Sequence, residues 1–136
     1  MKWYLIALKK YAVFHGRARR SEYWYFILFT VLALIASSFI DVTISSVFKK
    51  EYPYGVANLI CILGSFIPWL AVLCRRLHDV NKSGGNAFIW LIPLIGPIWL
   101  LVLLFTEGTP GPNKYGEDPK QPELYEEINQ IGSNIE

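Results

Sequence analysis

The chain has 136 residues, of which 53% are apolar and only 18% are charged. Soluble domains are about 45–50% apolar and about 25% charged, so both values point toward a membrane. Three stretches, residues 23–40, 55–74 and 87–105, contain no charged residue at all. As helices they would each be about 27–30 Å long, which matches the hydrocarbon core of a bilayer. The composition excludes a soluble enzyme, a nucleic-acid-binding domain and a disulfide-stapled secreted module, and it predicts an all-α integral membrane protein.

The N-terminal segment, residues 2–14, is too short to cross a bilayer. On a helical wheel Lys2, Lys9 and Lys10 share one side, whereas aromatic and aliphatic residues fill the opposite arc. This pattern predicts an amphipathic helix that lies in the membrane interface. The alternative is that the segment packs on the protein's own helices.

The three uncharged stretches are expected to form three transmembrane helices, at about 23–40, 55–74 and 87–105. The first opens with an aromatic belt, Tyr-Trp-Tyr, of the kind found at the headgroup level. The third holds two prolines and a glycine in its middle (IPLIGP), so it is expected to be bent or partly unwound. A re-entrant hairpin is the alternative for this third stretch.

A turn-rich segment, residues 106–119, completes a single membrane domain over residues 1–119. The remaining residues, 120–136, are expected to be an acidic and partly disordered tail. The two cysteines, Cys61 and Cys74, would lie about 20 Å apart along one helix, which is beyond the reach of a disulfide. They are interpreted as small apolar fillers.

The basic residues are distributed unevenly along the chain. Residues 1–22 and 75–86 hold nine Lys and Arg, and residues 41–54 and 106–136 hold four. With three crossings, the positive-inside rule places the N-terminus in the cytoplasm and the C-terminal tail outside.

Two basic motifs, GRARRSE at residues 16–22 and RRLHD at residues 75–79, are expected at one side and one depth. Five arginines at close quarters repel unless carboxylates or lipid phosphates intervene. Glu22 is therefore predicted to pair with an arginine of the second motif, and Asp79 to orient His78 or another arginine. The remaining guanidinium groups would contact anionic lipid headgroups. This predicted polar cluster comprises Arg17, Arg19, Arg20, Glu22, Arg75, Arg76, His78 and Asp79. The alternative is an ordinary topology signal without a defined site.

No catalytic, cofactor or metal site is predicted. The neighbours His78 and Asp79 resemble a catalytic or metal-binding pair. A zinc site needs three or four ligands, however, and His15 is the only other histidine in the sequence. No serine or cysteine motif supplies a nucleophile. The spans also lack the ionisable residues that transporters usually carry in the membrane.

A closing motif, G-x-N-x-Y-G-x-D-P, lies within residues 111–119. It is expected to form an ordered turn docked on the outer ends of the helices, with Tyr115 at the interface and Asn113 or Asp118 accepting backbone N–H groups. A loose linker is the alternative. The residues of the motif are Gly111, Asn113, Tyr115, Gly116, Asp118 and Pro119.

Four features follow an amphipathic start in this order within residues 3–119: GRARRSEYW, RRLHD, a proline-rich span and the closing motif. Together they make the chain resemble the bacterial family called domain of unknown function 805, which includes the YhaH-like and YhaI-like proteins. That family often has a tryptophan after the glycines of the RRLHD loop, whereas this chain delays it to Trp90. The resemblance implies a small multi-pass protein of the bacterial inner membrane, with no established activity or cofactor.

From these features we expect a non-enzymatic accessory or scaffold protein that acts through helix–helix and anionic-lipid contacts. Its expected partners are membrane lipids and either a second copy or another membrane protein, and no nucleic acid. The alternative function is a small-solute or ion pathway formed by an oligomer.

Overall fold

The computed structural model describes residues 2–49 and 55–120, and the elements named there are all helices, which confirms the expected all-α class. The acidic tail expected beyond Lys120 lies outside the described residues. The elements in chain order are α1 (Lys2–Lys9), α2 (Arg20–Phe48), α3 (Val56–Asp79), a 3₁₀ helix (Gly84–Leu91) and α4 (Ile95–Phe105).

Helices α2 and α3 form an antiparallel pair. With 29 and 24 residues they are both long and apolar enough to cross a membrane, and they contain the first two predicted spans. Glu22 at the start of α2 pairs with Arg75 near the end of α3, and Asp41 late in α2 contacts the start of α3. The ends of the two helices therefore meet at matching levels.

Asp41 caps α3 from the neighbouring helix. The N-cap residue Gly55 has no side chain to bind the first free N–H groups of α3. Asp41 accepts them instead, from Ala57 N at 2.9 Å and from Asn58 N at 3.0 Å. A Cβ atom on Gly55 would lie 2.0 Å from Asp41 Oδ2, so the cap requires a glycine there. A carboxylate at this end of a helix is also favoured by the helix dipole.

The third uncharged stretch does not form the spanning helix that the sequence predicts. It is divided between the 3₁₀ helix of 8 residues and α4 of 11 residues, each about 16 Å long and so about half a bilayer core. Both ends of this segment lie near the end of α3. Gly84 packs against Cys74, and the Phe105 carbonyl accepts a hydrogen bond from Arg20 at 3.2 Å. Residues 84–105 are therefore a hairpin, the alternative that the sequence left open.

The proline and glycine residues of this stretch reverse the chain. Pro93 cannot donate a backbone hydrogen bond, and Leu94 adopts a left-handed φ of 65°. Gly96 then passes so close to the 3₁₀ helix that a Cβ atom would lie 1.9 Å from the Ile89 carbonyl oxygen. We refer to residues 84–105 as the hairpin.

Helix α1 packs on α2. It ends at Lys9 rather than near residue 14. The Tyr4 ring lies 4.9 Å from the ring of Phe29, and Ala7 is fully buried. Lys9 and Lys10 are exposed. The segment therefore packs on the protein's own helices, and its position in the membrane interface stays a prediction.

The apolar core lies at one end of the helix pair, where α1 and the hairpin join it. Its buried side chains include Phe26, Val72, Leu77 and Leu103. Toward the other end α2 is uncovered, and Phe39 is 71% exposed. The tertiary structure is therefore concentrated at the end that holds both basic motifs.

The close approach of Gly96 to Ile89 gives a test of the hairpin. We expect Gly96→Ala to lower the free energy of unfolding in detergent by about 1–3 kcal/mol, because the added methyl group meets backbone that cannot rotate away. The control is Gly64→Ala in α3, where a Cβ atom meets nothing within 4 Å. That substitution should be neutral or stabilise by up to about 1 kcal/mol. Equal effects of the two substitutions would contradict the hairpin.

Candidate functional site

The structure brings all eight residues of the predicted polar cluster to one end of the molecule, where α2 begins and α3 ends. Arg19 and Arg20 are partly exposed, and the other six residues are buried. Burial of this many charged groups is costly unless each charge meets a partner. The contacts of the cluster therefore decide what it can do.

Asp79 lies between two buried arginines. Its Oδ1 accepts from Arg17 Nε at 3.0 Å and its Oδ2 from Arg76 Nη1 at 2.6 Å. The three side chains are at most 4% exposed. Gly108 leaves the necessary room, because a Cβ atom there would lie 2.1 Å from Asp79 Oδ2. The carboxylate thus binds arginines on both sides, whereas His78 forms its hydrogen bonds elsewhere.

Glu22 pairs with Arg75, as the positions of these residues at the start of α2 and the end of α3 predict. Arg75 Nη1 donates to Glu22 Oε1, and both side chains are buried. The other two nitrogens of this guanidinium, Nε and Nη2, are buried and have no hydrogen-bond acceptor within the described parts of the chain. The pair is therefore held by one hydrogen bond and by charge.

Two arginines cap the C-terminal end of α4. The last carbonyl groups of a helix have no partner within it. Arg76 donates to the carbonyls of Leu104 and Thr106, and Arg20 donates to that of Phe105 at 3.2 Å. Positive charge at this end also opposes the negative pole of the helix dipole. The hairpin is thereby fastened to α3 and to the start of α2.

Arg17 and Arg19 bind the segment that follows α4. Arg17 Nη1 donates to the Gly111 carbonyl at 2.6 Å and Arg17 Nη2 to the Thr109 carbonyl. Arg19 donates to the carbonyl of Pro119. The first basic motif thus joins residues about one hundred positions later in the chain.

The same C-terminal segment caps α3 in return. Thr109 N donates to the Asp79 carbonyl at 2.8 Å, and Asn113 Nδ2 donates to the His78 carbonyl at 3.0 Å. The C-terminal segment therefore donates hydrogen bonds to the free carbonyl groups at the end of α3, and its own carbonyl groups accept hydrogen bonds from Arg17 and Arg19.

The closing motif forms an ordered turn. The backbones of Asn113 and Gly116 pair with each other, and Asn113 Oδ1 accepts from Tyr115 N at 2.9 Å. Asp118 accepts from the backbone N–H groups of Gly111 and Lys120. The two side chains expected to bind backbone N–H groups therefore both do so.

The position of this turn corrects the expected arrangement. It docks beside the polar cluster rather than at the opposite ends of the helices, because the hairpin returns the chain to its starting end. The Tyr115 ring stacks on the His78 ring, with centroids 3.9 Å apart and planes 3° apart. Residues 106–120 therefore lie at the same end of the molecule as Arg17 and Arg19, whereas the side of the membrane on which the C-terminus lies stays a prediction.

His78 is held on several sides. Its Nδ1 lies 3.1 Å from the Gly16 carbonyl, and its Nε2 lies 3.5 Å from Cys74 Sγ. Both cysteines are free thiols. Among the described residues, no three His, Cys, Asp or Glu side chains are grouped so as to bind a metal ion. The contacts give His78 a packing role beneath the turn.

Burial restricts which arginines can reach lipid headgroups. The side chains of Arg17, Arg75 and Arg76 are at most 1% exposed, so phosphate contacts expected for them have no accessible guanidinium. Arg20 is 42% exposed and lies 3.2 Å from Glu107. A hydrogen bond from Lys120 and the charges of Lys120 and Arg20 lower the pKa of Glu107.

Three members of this site were not singled out by the sequence analysis. Thr109 binds the end of α3, Gly108 makes room for Asp79, and Glu107 pairs with Arg20. The density of glycine and proline after residue 105 indicated turns there. It carried no sign of the distant partner of those turns.

Comparison with known proteins gives a consistent assignment. A family model described as protein of unknown function (DUF805) matches residues 11–117. The chain is 46% identical over 120 residues to the inner membrane protein YhaI of Escherichia coli (strain K12), covering 88% of this chain and 97% of that protein. It is 42% identical over 122 residues to the inner membrane protein YhaH of the same organism, covering 88% and 98%. No solved structure matches the chain significantly.

The pair of Glu22 and Arg75 can be tested by charge reversal. We expect Glu22→Arg to destabilise the fold by about 3–5 kcal/mol, since it leaves buried like charges in contact. Adding Arg75→Glu should restore part of that loss, which a double-mutant cycle measures by unfolding in detergent. Reversal of the exposed pair of Lys120 and Glu107 is the control and should change stability by about 1 kcal/mol or less. A double variant no more stable than the sum of the single variants would contradict the pair.

The bridging role of Asp79 predicts a local change in amide exchange. Asp79→Asn leaves Arg17 and Arg76 without their shared charge. The amides of residues 109–116 should then exchange faster by roughly tenfold or more, as measured by hydrogen exchange with mass spectrometry. Glu107→Gln is the matched control at an exposed carboxylate and should leave these amides nearly unchanged. Fast exchange of residues 109–116 in the unmodified protein would show that the turn is not docked.

Proposed function

The chain belongs to the DUF805 family, and from that premise we propose that this inner-membrane protein is a non-enzymatic accessory or scaffold protein. It acts in the membrane through contacts with other helices and with anionic lipids. The residues given above as the polar cluster and the closing turn serve in this proposal to hold the fold, and the outer surfaces serve to bind.

The proposed topology has two crossings. Helices α2 and α3 traverse the membrane, and the hairpin enters and leaves it from the cytoplasmic side. Of the 13 Lys and Arg residues, 11 then belong to the cytoplasmic side and only Lys49 and Lys50 to the other. Three crossings would divide the same residues nine to four. The positive-inside rule thus supports two crossings more strongly than three.

The buried charged groups of this protein lie at one end, and the outer surfaces of its long helices are apolar. The buried charges of the polar cluster are directed at one another and at helix-end carbonyls, so they are not presented to a substrate. The outward surfaces of α2 and α3 are apolar, with Leu32, Phe39 and Leu63 each at least half exposed. Such surfaces bind acyl chains or other apolar helices, and this supports an accessory protein over an enzyme.

Lipid headgroups would contact the exposed cations of the cytoplasmic end. Lys9, Lys10, Lys82 and Lys114 are exposed, and Arg20 is partly so. Each basic residue near an anionic leaflet contributes about 1 kcal/mol of attraction. In this proposal lipid attraction comes from these side chains rather than from the buried arginines.

The topology is tested by labelling single cysteines. In a Cys61→Ala, Cys74→Ala background, a membrane-impermeant maleimide applied to intact spheroplasts should modify Lys49→Cys but neither Lys82→Cys nor Lys114→Cys. All three should react after the membrane is permeabilised, which controls for accessibility. Labelling of Lys114→Cys in intact spheroplasts would show that the third uncharged stretch crosses the membrane.

The accessory role is tested against the alternative of a solute pathway. After crosslinking in native membranes, we expect the protein to copurify in fixed stoichiometry with a second copy or with another membrane protein. Purified protein in liposomes should give no solute or ion flux above that of empty vesicles. A specific and saturable flux would contradict the proposal and favour an oligomeric pathway.

A further inference from the structure

An apolar cavity of about 630 Å³ lies between the hairpin and the adjoining halves of α2 and α3. Its lining includes the aromatic residues Tyr23, Trp24, Trp69 and Trp90, together with Leu73 and Leu104. This volume falls within the range of sites that bind small molecules. An apolar cavity of this kind does not hold water well, so in a membrane it will contain an apolar group.

One end of the cavity lies at the level of the polar cluster. Tyr23 and Trp24 directly follow Glu22, and Cys74 directly precedes Arg75. The Trp24 ring packs on the Phe105 ring at 4.6 Å, and the Phe105 carbonyl is bound by Arg20. The cavity therefore extends from charged groups at one end to apolar helix surfaces at the other, as an amphiphile does.

The cavity also has one unused polar group in its lining. The indole Nε1 of Trp24 is buried and has no hydrogen-bond acceptor in residues 2–49 and 55–120. Buried N–H groups in folded proteins nearly always have a partner. The Trp24 N–H is thus an unpartnered donor beside a largely apolar wall, which suits a ligand with a carbonyl group close to a long apolar chain.

We propose that this cavity binds one acyl chain of an anionic glycerophospholipid from the surrounding leaflet. The chain fills the space beneath the hairpin, its ester carbonyl accepts the hydrogen bond of Trp24, and its phosphate lies beside the partly exposed Arg20. The inference deepens the proposed function, because it rests on the membrane placement and on lipid contacts, and it names the lipid class and the site.

The first test fills the cavity. The protein is extracted in mild detergent and its bound lipids are measured by native mass spectrometry. We expect the unmodified protein to retain a phospholipid, with phosphatidylglycerol preferred over phosphatidylethanolamine. Ala87→Trp, which places an indole in the lining, should lower retention by about tenfold or more, whereas Ala36→Trp on the exposed face of α2 should not. A folded Ala87→Trp protein with unchanged retention would overturn the proposal.

The second test does not depend on how Ala87→Trp folds. In the unmodified protein, phosphatidylglycerol with ester-linked chains should bind roughly fivefold more tightly than its ether-linked analogue, which lacks the carbonyls. Trp24→Phe should abolish this difference. Arg20→Gln should reduce the preference for phosphatidylglycerol, and Lys49→Gln, an exposed cation at the opposite end of α2, should not.

Other occupants give distinct results. Displacement of the phospholipid by equimolar free fatty acid, or retention of detergent alone, would overturn the assignment to a phospholipid. Equal binding of ester and ether lipids by the unmodified protein would overturn the role of Trp24. The accessory role is decided separately, since it fails if no partner copurifies, whatever the cavity retains.

Discussion

The placement of Asp79 between Arg17 and Arg76 is the interaction on which the rest of the structure depends. Two buried guanidinium groups this close to one carboxylate would repel each other strongly in its absence. Asp79 offsets this repulsion because it attracts both of them. The wider buried set is balanced as well, with three arginines against Glu22, Asp79 and Asp118. A buried ion pair is favourable only when further hydrogen bonds satisfy its remaining atoms, and here backbone carbonyls do most of this.

Several of those carbonyl groups lie at the end of α4, so the polar cluster also holds the helices together. The C-terminal ends of α3 and α4 both lie beside the buried arginines, where an unsatisfied carbonyl group costs more than it would in water. Arg76 and Arg20 satisfy the end of α4, and the backbone after Thr109 satisfies the end of α3. At the opposite end of the helix pair, Asp41 accepts hydrogen bonds from the free N–H groups at the N-terminus of α3. The helices thus supply one another's caps, and none of the N-cap residues from Arg19 to Leu94 caps its own helix with its side chain.

Sequence reasoning reached the features that local rules determine. The absence of charge over 18 to 20 residues predicted α2 and α3. The pair of Glu22 and Arg75 was predictable because these residues lie at the start of one helix and at the end of its antiparallel neighbour. The third stretch has the same length and polarity, but it reverses direction. A count of apolar residues could not predict this reversal, because it depends on the close approach of Gly96 to the Ile89 carbonyl. For the same reason the sequence could not predict at which end of the molecule residues 109–119 dock. The carbonyl acceptors of Arg17 and Arg76 could not be predicted either, since every residue has a carbonyl and only the tertiary fold selects among them.

The hydrogen bonds of Arg17 join residues separated by 92 and 94 positions in the chain. Synthesis proceeds from the N-terminus at about 5–20 residues per second, so on the ribosome Arg17 precedes its acceptors by about 5–20 s. Over that interval α2 and α3 can form and pair, but Arg17 and Arg76 lack the carbonyl groups that accept their hydrogen bonds. The turns that follow α4 therefore complete the burial of these arginines. A chain that stops short of Thr109 lacks these acceptors, so burying the Arg17 guanidinium would cost more in that chain than in the full one.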